Sequence, residues 1–547
     1  MALAALYSAA VGTKKAFVSF PGADYTQTSA VRATEKVLAR HGWQIEVGDG
    51  IGGPVGERDA DDAQKAPFAP PGKDLYLADY DLLPFEELLP SSSSSTKGKQ
   101  PQCSSYVIRK ALIRKHYLAS ALNTYAVKLP PGPAAKRFRT CTPKTWHLEI
   151  QFADELDELL VDDLYDLAEL LETNHSCIDE GRGDDVRWFI LKPGMADRGN
   201  GIRIFSTLEQ LQTIFEEFEP ESDDGDEEED DDGDEEEDDY GDEEGETRAD
   251  TSSDFDQDGS GYAGKDTSVM ASQLRHFVIQ EYIRSPLLVD PVSSVDSNLQ
   301  AAQASEKLNI GDRRGSNTRK FHLRAYVLCV AGLAVYLHDD MLALFAPLAY
   351  REPSEATVGD LECHLTNTCL QEDGTLAVGN DARPKEENVF LWSDLGGSSF
   401  RDAGAKASDS PAQTLSPEMI EDVRCKAAEV IGGSFEAAAK AGSIHWQMWP
   451  NAFEVFGVDL MVGYDETDAE GRKLKVWLLE VNAQPDFAQT GARLSAVIER
   501  LFERVCEIAV LPYHSESRTA EGLDAWNVGE SRLGTTLCFR EDLGRGF

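Results

Sequence analysis

WLLEVNAQPDF, residues 477–487, sets a carboxylate and an amide into a segment that otherwise reads as core. Trp477, Leu478, Leu479 and Val481 suit a pleated, mostly buried strand. A carboxylate buried there without a partner is costly. Glu480 and Asn482 lie two residues apart, on one face of such a strand. Just upstream, NAFEVFGVDLMVGY (451–464) reads as a second strand, and DETDAEG joins the two as a hairpin. If Tyr464 closes against Arg472 or Lys473, Asp459 falls opposite residue 477 or 478, a near diagonal neighbour of Glu480 within ~7–8 Å. Three oxygen ligands at this spacing suit Mg²⁺, a hard cation that takes one or two carboxylates and leaves its other positions to water and phosphate. A hydrogen-bonded structural pair is the alternative reading of E-x-N taken alone.

At 547 residues with 41% apolar content, the chain is long enough for several domains with real cores. No run approaches the roughly 18 apolar residues of a membrane span. The N-terminal MALAALYSAAVGTKK carries its positive charge after the apolar part, opposite to a secretory signal. A cytoplasmic or nuclear protein is expected, with nine reduced cysteines, none in a CxxC pair. The net charge of −46 is unevenly spread: Glu216 to Asp258 holds 27 acidic residues and one Arg, which leaves −20 for the rest. Such a tract repels itself and buries nothing, so it is expected to be a disordered loop, either simply solvated or docking a basic partner. Within it DFDQDGSGYAGK imitates a calcium loop, but Lys265 stands where the bidentate Glu belongs.

The organisation reads as a small α/β start (14–47), a helical basic segment (106–129), a Leu- and acid-rich helix (154–172) and a strand–loop–strand (188–206). HFVIQEYI (276–283) follows as a strand, then two long strands around Ala331-Gly332, a helix from Met419, and the closing hairpin. In LKPGMADRGNGI, Lys192 ends an apolar strand and can meet a phosphate as a point charge, while Gly199 and Gly201 let backbone amides approach closely. A plain β-hairpin explains the same spacing. In RKFHLR, Lys320, His322 and Arg324 alternate onto one face; that face either binds phosphate or lies at a solvent-facing edge. No basic patch interleaved with aromatics suggests nucleic acid.

Taken in order, KPG…RGNGI, QEYI, RKFHLR, HLTN, and FGVDLM…LLEVNAQPDF resemble the tubulin tyrosine ligase family of ATP-grasp carboxylate-amine ligases, over roughly residues 106–510. Its fungal branch, the most similar, includes a protein of mRNA processing bodies. The resemblance implies an α+β ATP-grasp fold, two lobes clasping ATP, with a small N-terminal α/β domain and linker (1–100). The first lobe spans 101–283 with an acidic disordered insertion at 216–275, a flexible insertion covers 284–318, the metal-bearing lobe covers 319–512, and a tail covers 513–547. It further implies ATP and two Mg²⁺ ions, a free amino acid, and a protein carboxylate as acceptor, with tubulin a candidate. Lys192 would contact the α/β phosphates under Gly199 and Gly201. Gln280, Glu281, Tyr282 and Ile283 would form the adenine hinge, through the backbone of Glu281 and Ile283. Lys320 and Arg324 would hold the nucleotide and its γ-phosphate, Lys115 would be a further ATP contact, and Asn367 would sit near the reacting end. Asp459, Glu480 and Asn482 would ligate the metal, with Glu480 bridging two ions.

Two positions depart from the family pattern. His322 replaces the Asp of KFDxR, and Ala343 stands where the family often has Arg, with Arg351 as a substitute. Charge is a third discord: tubulin tails are acidic, and like-signed fields slow encounter. A patch from Arg109, Lys110, Arg114, Lys115, Lys128, Lys136, Arg137 and Arg139 would offset this locally.

Overall fold

The computed structural model describes residues 13–48, 69–89, 100–194, 201–218, 276–291, 318–359, 361–366, 388–403, 413–465, 473–515 and 526–541. The calcium-like loop, Gly199, Asn367 and the acidic tract beyond Phe218 lie outside these residues. The tract's first two acids, Glu216 and Glu217, are helical rather than looped.

The N-terminal sheet is parallel, ordered β2-β1-β3-β4 from Lys15–Ser19 (β1), Gln44–Val47 (β2), Leu75–Ala78 (β3) and Gln102–Cys103 (β4). Strand alternation splits β1 between two cores. Ala16 and Val18 pack with Ala30, Ala33 and Val37 of the helix Asp24–Val37 (α1), whereas Phe17 joins the main core on the other side. The sheet is tied to the body by a buried ion pair: Arg109 Nε lies 2.7 Å from Glu454 Oε1, and the guanidinium stacks 4.0 Å over Tyr80. Arg109 is therefore not part of a surface basic patch.

A second sheet is antiparallel, ordered β5-β8-β6-β7, from Thr145–Glu149 (β5), Phe189–Pro193 (β6), Arg203–Phe205 (β7) and His276–Glu281 (β8). Phe189, Leu191, Phe277 and Ile279 face helices on one side, so alternation turns Ile190, Lys192, Val278 and Gln280 to the other. Those helices are Tyr165–Asp179 and Leu208–Glu217. The acidic helix expected as one piece over 154–172 breaks at 162–164, where Leu156–Val161 gives way to Tyr165–Asp179.

Leu287–Val289 (β9) lies in the region expected as a flexible insertion, yet pairs with Ser399–Asp402. The eight-stranded sheet then forms from Phe321–Val330 (β10), Ala334–His338 (β11), Leu342–Phe345 (β12) and Val389–Leu391 (β13). Two smaller strands, Ser399–Asp402 (β14) and Gln413–Thr414 (β15), stay with β9. Phe453–Tyr464 (β16), Leu474–Ala483 (β17), Ser531–Arg532 (β18) and Thr535–Arg540 (β19) complete it. β10 is central, flanked by β11 and β12 on one edge and β16 on the other, which excludes the solvent-facing-edge reading of RKFHLR. The segment expected as a C-terminal tail supplies β19, which pairs with β11.

The closing hairpin corrects the expected register. Tyr464 pairs with Leu474, and Leu460 pairs with Leu478, but a bulge between Asp459 and Leu460 puts Asp459 directly opposite Glu480. Leu479 is the extra residue. It flips the alternation of β17, so that Val476, Leu478 and Val481 all reach the core while Glu480 and Asn482 point away from it.

Behind this sheet runs Pro417–Lys440 (α2), started by Ser416, whose hydroxyl accepts from the Met419 N–H at 3.3 Å, and by Pro417. Val423, Ala427, Ile431, Phe435 and Ala438 recur at helical spacing and are buried. At Gly432 the backbone of β19 comes so close that an added Cβ would lie 2.5 Å from the Cys538 carbonyl oxygen. Gly→Ala within a helix ordinarily gains about 1 kcal/mol. Here overpacking costs about 1–3 kcal/mol, so Gly432→Ala is expected to lower the unfolding midpoint in urea; a raised midpoint would show that β19 does not dock there.

Candidate functional site

The even-numbered face of β6 and β8 looks across a cleft at the polar face of β10, β16 and β17. A solvent-open hollow with about 680 Å³ of empty space lies between them. Pro143, Ile190, Ile202, Ile283, Met461 and Leu479 form its apolar part, while Lys192, Lys320, His322, Asp459 and Glu480 line the rest. A second hollow, with about 660 Å³ of empty space open to solvent, lies towards the helix Lys115–Lys128. Lys192, Gln280, Leu479 and Glu480 form the wall shared by the two.

The strand registers assemble the charged centre. Arg324 pairs with Asp459, which pairs with Glu480, and Gly457 pairs with Asn482. Arg324 grips Asp459 with two nitrogens, Nε at 2.5 Å from Oδ1 and Nη2 at 3.1 Å from Oδ2. The Asn482 amide nitrogen reaches Asp459 Oδ2 at 3.3 Å and Glu480 Oε1 at 3.2 Å. Lys115 Nζ stands 3.7 Å from Glu480 Oε2. Burial works against a charged Glu480, but Lys115, Lys192 and the Asn482 amide hold its carboxyl well below the ordinary range. Burial opposes the charge on Arg324 too, and Asp459 more than restores it.

The lysines are held differently. Lys192 donates to Gln280 Oε1 at 2.7 Å, and burial lowers its pKa to about 8 against the opposing pull of Glu480. Lys320 donates to the Tyr282 hydroxyl at 2.8 Å and lies 4.2 Å from that ring. Burial, then the nearby Lys192, brings its pKa to about 7. The Tyr282 hydroxyl is also 3.0 Å from His364 Nδ1. Neither Tyr282's side-chain role nor Thr366, whose hydroxyl is 2.6 Å from His322 Nδ1, was legible in the sequence, because both contacts link distant segments. Two glycines earn attention only in three dimensions. A Cβ on Gly457 would meet Pro485 Cβ at 2.9 Å and Arg324 Cδ at 3.3 Å, and one on Gly194 would meet His116 Nδ1 and the His276 carbonyl, each at 2.9 Å.

Of the residues singled out in the sequence, Lys115, Lys192, Gln280 to Ile283, Lys320, His322, Asp459, Glu480 and Asn482 line the two cavities. Arg324 lies buried behind Asp459 and does not line them. The Glu281 N–H is already donated to the Lys144 carbonyl at 2.9 Å, and its carboxylate pairs with Arg187 at 3.3 Å. Gly201 opens the strand β7 turn with φ 69°, a conformation glycine adopts without strain. Arg351 is exposed and lines neither cavity. Among the described residues no three His, Cys, Asp or Glu side chains stand grouped to hold a metal. Two carboxylates and an amide nonetheless fit Mg²⁺, which draws its other ligands from water and phosphate, once Asn482 turns its amide oxygen inward.

Comparison with known proteins gives the chain a family and a fold. The description of the tubulin-tyrosine ligase family matches residues 142–518. A probable tubulin-tyrosine ligase of Schizosaccharomyces pombe is 35% identical over 448 residues, covering 82% of this chain and 85% of that one. The probable tubulin-tyrosine ligase PBY1 of Saccharomyces cerevisiae is 30% identical over 454 residues, and the match spans 47% of its length, about half. Among solved structures, the C-terminal domain of K. lactis Pby1, described as an ATP-grasp enzyme interacting with the mRNA decapping enzyme Dcp2, superposes with a TM-score of 0.51 at 24% identity, covering 96% of this chain and 99% of that domain. The chain belongs to the tubulin-tyrosine ligase family, and its fold is that of an ATP-grasp enzyme.

Proposed function

We propose that the protein is an ATP-dependent ligase that joins a free amino acid to a protein carboxylate. The observation that carries this reading is the convergence of Lys115, Lys192 and Lys320 on the Asp459–Glu480 carboxylates, beside an apolar pocket of adenine-compatible character. The apolar wall of Ile190, Ile202, Ile283 and Met461 takes the base. Lys192 and Lys320 meet the phosphates, and Asp459, Glu480 and Asn482 hold Mg²⁺, with Arg324 fixing the Asp459 carboxylate from behind. Bound there, Mg²⁺ would neutralise charge on the phosphates. An acceptor carboxylate oxygen then attacks the γ-phosphorus and ADP leaves. The amine of the amino acid next attacks the acyl carbon, losing a proton as phosphate departs. The chain's contribution is positioning and a preorganised positive field around the transferring phosphoryl group.

The names of its relatives make tubulin the first acceptor to test. With −20 outside the acidic tract, docking an acidic tail would depend on local cations such as the exposed Lys128 and Lys136. A second reading is an ATP-binding protein of the mRNA-decay machinery, resident in cytoplasmic processing bodies and without ligation. His322, an imidazole in place of the family's Asp, favours it, as does the description of Pby1 as a partner of Dcp2. No helix among the described residues is long and apolar enough to cross a membrane.

Mass spectrometry of a cell extract incubated with the protein, ATP and labelled amino acids tests the first reading. A protein that gains label only with active enzyme names the acceptor, and Glu480→Gln should cut the labelling rate by about 10²–10³-fold. Unlabelled extract alongside tight ATP binding would leave the scaffold reading standing. The lysines give a pH signature. Both are charged below about 7; above about 8 they have shed protons that phosphate binding must restore. ATP affinity should therefore fall as pH rises from 7 to 9, and calorimetry in buffers of different ionisation enthalpy should show net proton uptake on binding at pH 8.

A further inference from the structure

His322 is where the chain leaves the family motif, and its geometry gives that departure a chemical use. The residue is 4% exposed and sits on β10 between Lys320 and Arg324. Nδ1 is fixed by the Thr366 hydroxyl at 2.6 Å. Nε2 is buried, makes no hydrogen bond, and lies 3.6 Å from Asp459 Oδ1, in a cavity wall that also holds Glu480.

A buried nitrogen left without a partner is costly, so a site that keeps one is built for something else to occupy it. At 3.6 Å the contact with Asp459 is beyond hydrogen-bonding distance. An imidazole whose outer nitrogen is held by a polar group while the inner one faces carboxylates has the arrangement of a metal-ligating histidine. Adjacent ligands on an octahedral ion with bonds of about 2.1 Å stand about 3 Å apart. Nε2 and Oδ1 therefore need to close by only about 0.6 Å around an ion.

We propose that His322 Nε2 is a direct ligand of the divalent ion held by Asp459, Glu480 and Asn482, a mixed nitrogen and oxygen set that shifts preference from Mg²⁺ towards a transition ion such as Mn²⁺. The proposal rests on the nucleotide-and-metal reading of the same cleft.

The test uses the full chain with Mn²⁺ and adenosine β,γ-methylene triphosphate, whose bridge carries no nitrogen. Three-pulse electron spin echo envelope modulation is expected to show the ¹⁴N couplings of bound imidazole. Protein grown on ¹⁵N-histidine should replace them with ¹⁵N frequencies, and His322→Asp should abolish them while retaining Mn²⁺. The ratio of Mn²⁺ to Mg²⁺ affinity should fall about tenfold in that variant. Nucleotide-dependent Mn²⁺ binding without nitrogen coupling in the wild-type protein would overturn the assignment of His322 and leave the cleft reading intact. No nucleotide-dependent Mn²⁺ binding would overturn both. The ¹⁵N-histidine measurement needs no variant, so poor folding of His322→Asp does not blunt the test.

Discussion

The arrangement turns on one buried carboxylate. Asp459 lies on β16, a strand paired on both sides in the eight-stranded sheet, and is 5% exposed, where an isolated charge would be intolerable. Register supplies the remedy on one side and a second charge on the other: Arg324 faces it from β10, and Glu480, itself needing compensation, faces it from β17. The guanidinium neutralises one carboxylate, and Lys115 and Lys192 offset the other. A polar centre is thereby retained on the cleft face of the sheet. Everything else in the cleft is placed relative to that centre.

Cationic groups reach it from three independent parts of the chain, the helix beginning at Lys115, the end of β6 and the approach to β10. In each strand ordinary alternation does the placing, with apolar neighbours turned to a core and the charged residue turned to the cleft. The cost falls on the lysines. Lys192 and Lys320 are both desolvated, and Lys115 near Lys192 and Lys192 near Lys320 add repulsion, which is why their pKa values fall to about 8 and about 7. A polyanionic ligand beside them would relieve that penalty.

Much of this was readable from residue order. The alternation of Phe321 and Leu323 against Lys320, His322 and Arg324 was enough to put two cations and an imidazole on one face, and Glu480 and Asn482 were conspicuous because their neighbours were apolar. What failed was phase. Leu479 is as apolar as Leu478, so nothing marked it as the extra residue of a bulge, and a bulge shifts a hairpin by one position without altering its composition. Arg324 was legible as part of the site but not as the partner of Asp459, because that pairing joins strands 135 positions apart. The contacts Tyr282–Lys320 and His322–Thr366 were hidden for the same reason. The final strand was passed over because Thr535–Arg540 is short and follows a polar stretch, whereas its partner, the hairpin strand Ala334–His338, lies some two hundred residues earlier.

That long-range pairing bears on how the protein is made. During synthesis the hairpin of β10 and β11 emerges well before β19, so one border of β11 keeps its amide and carbonyl groups bare while the next 197 residues are made. Open borders of this kind recruit foreign strands. A nascent chain halted before residue 535 would present an adhesive seam on the very sheet that carries the carboxylates, and would depend on chaperones to keep it from sticking.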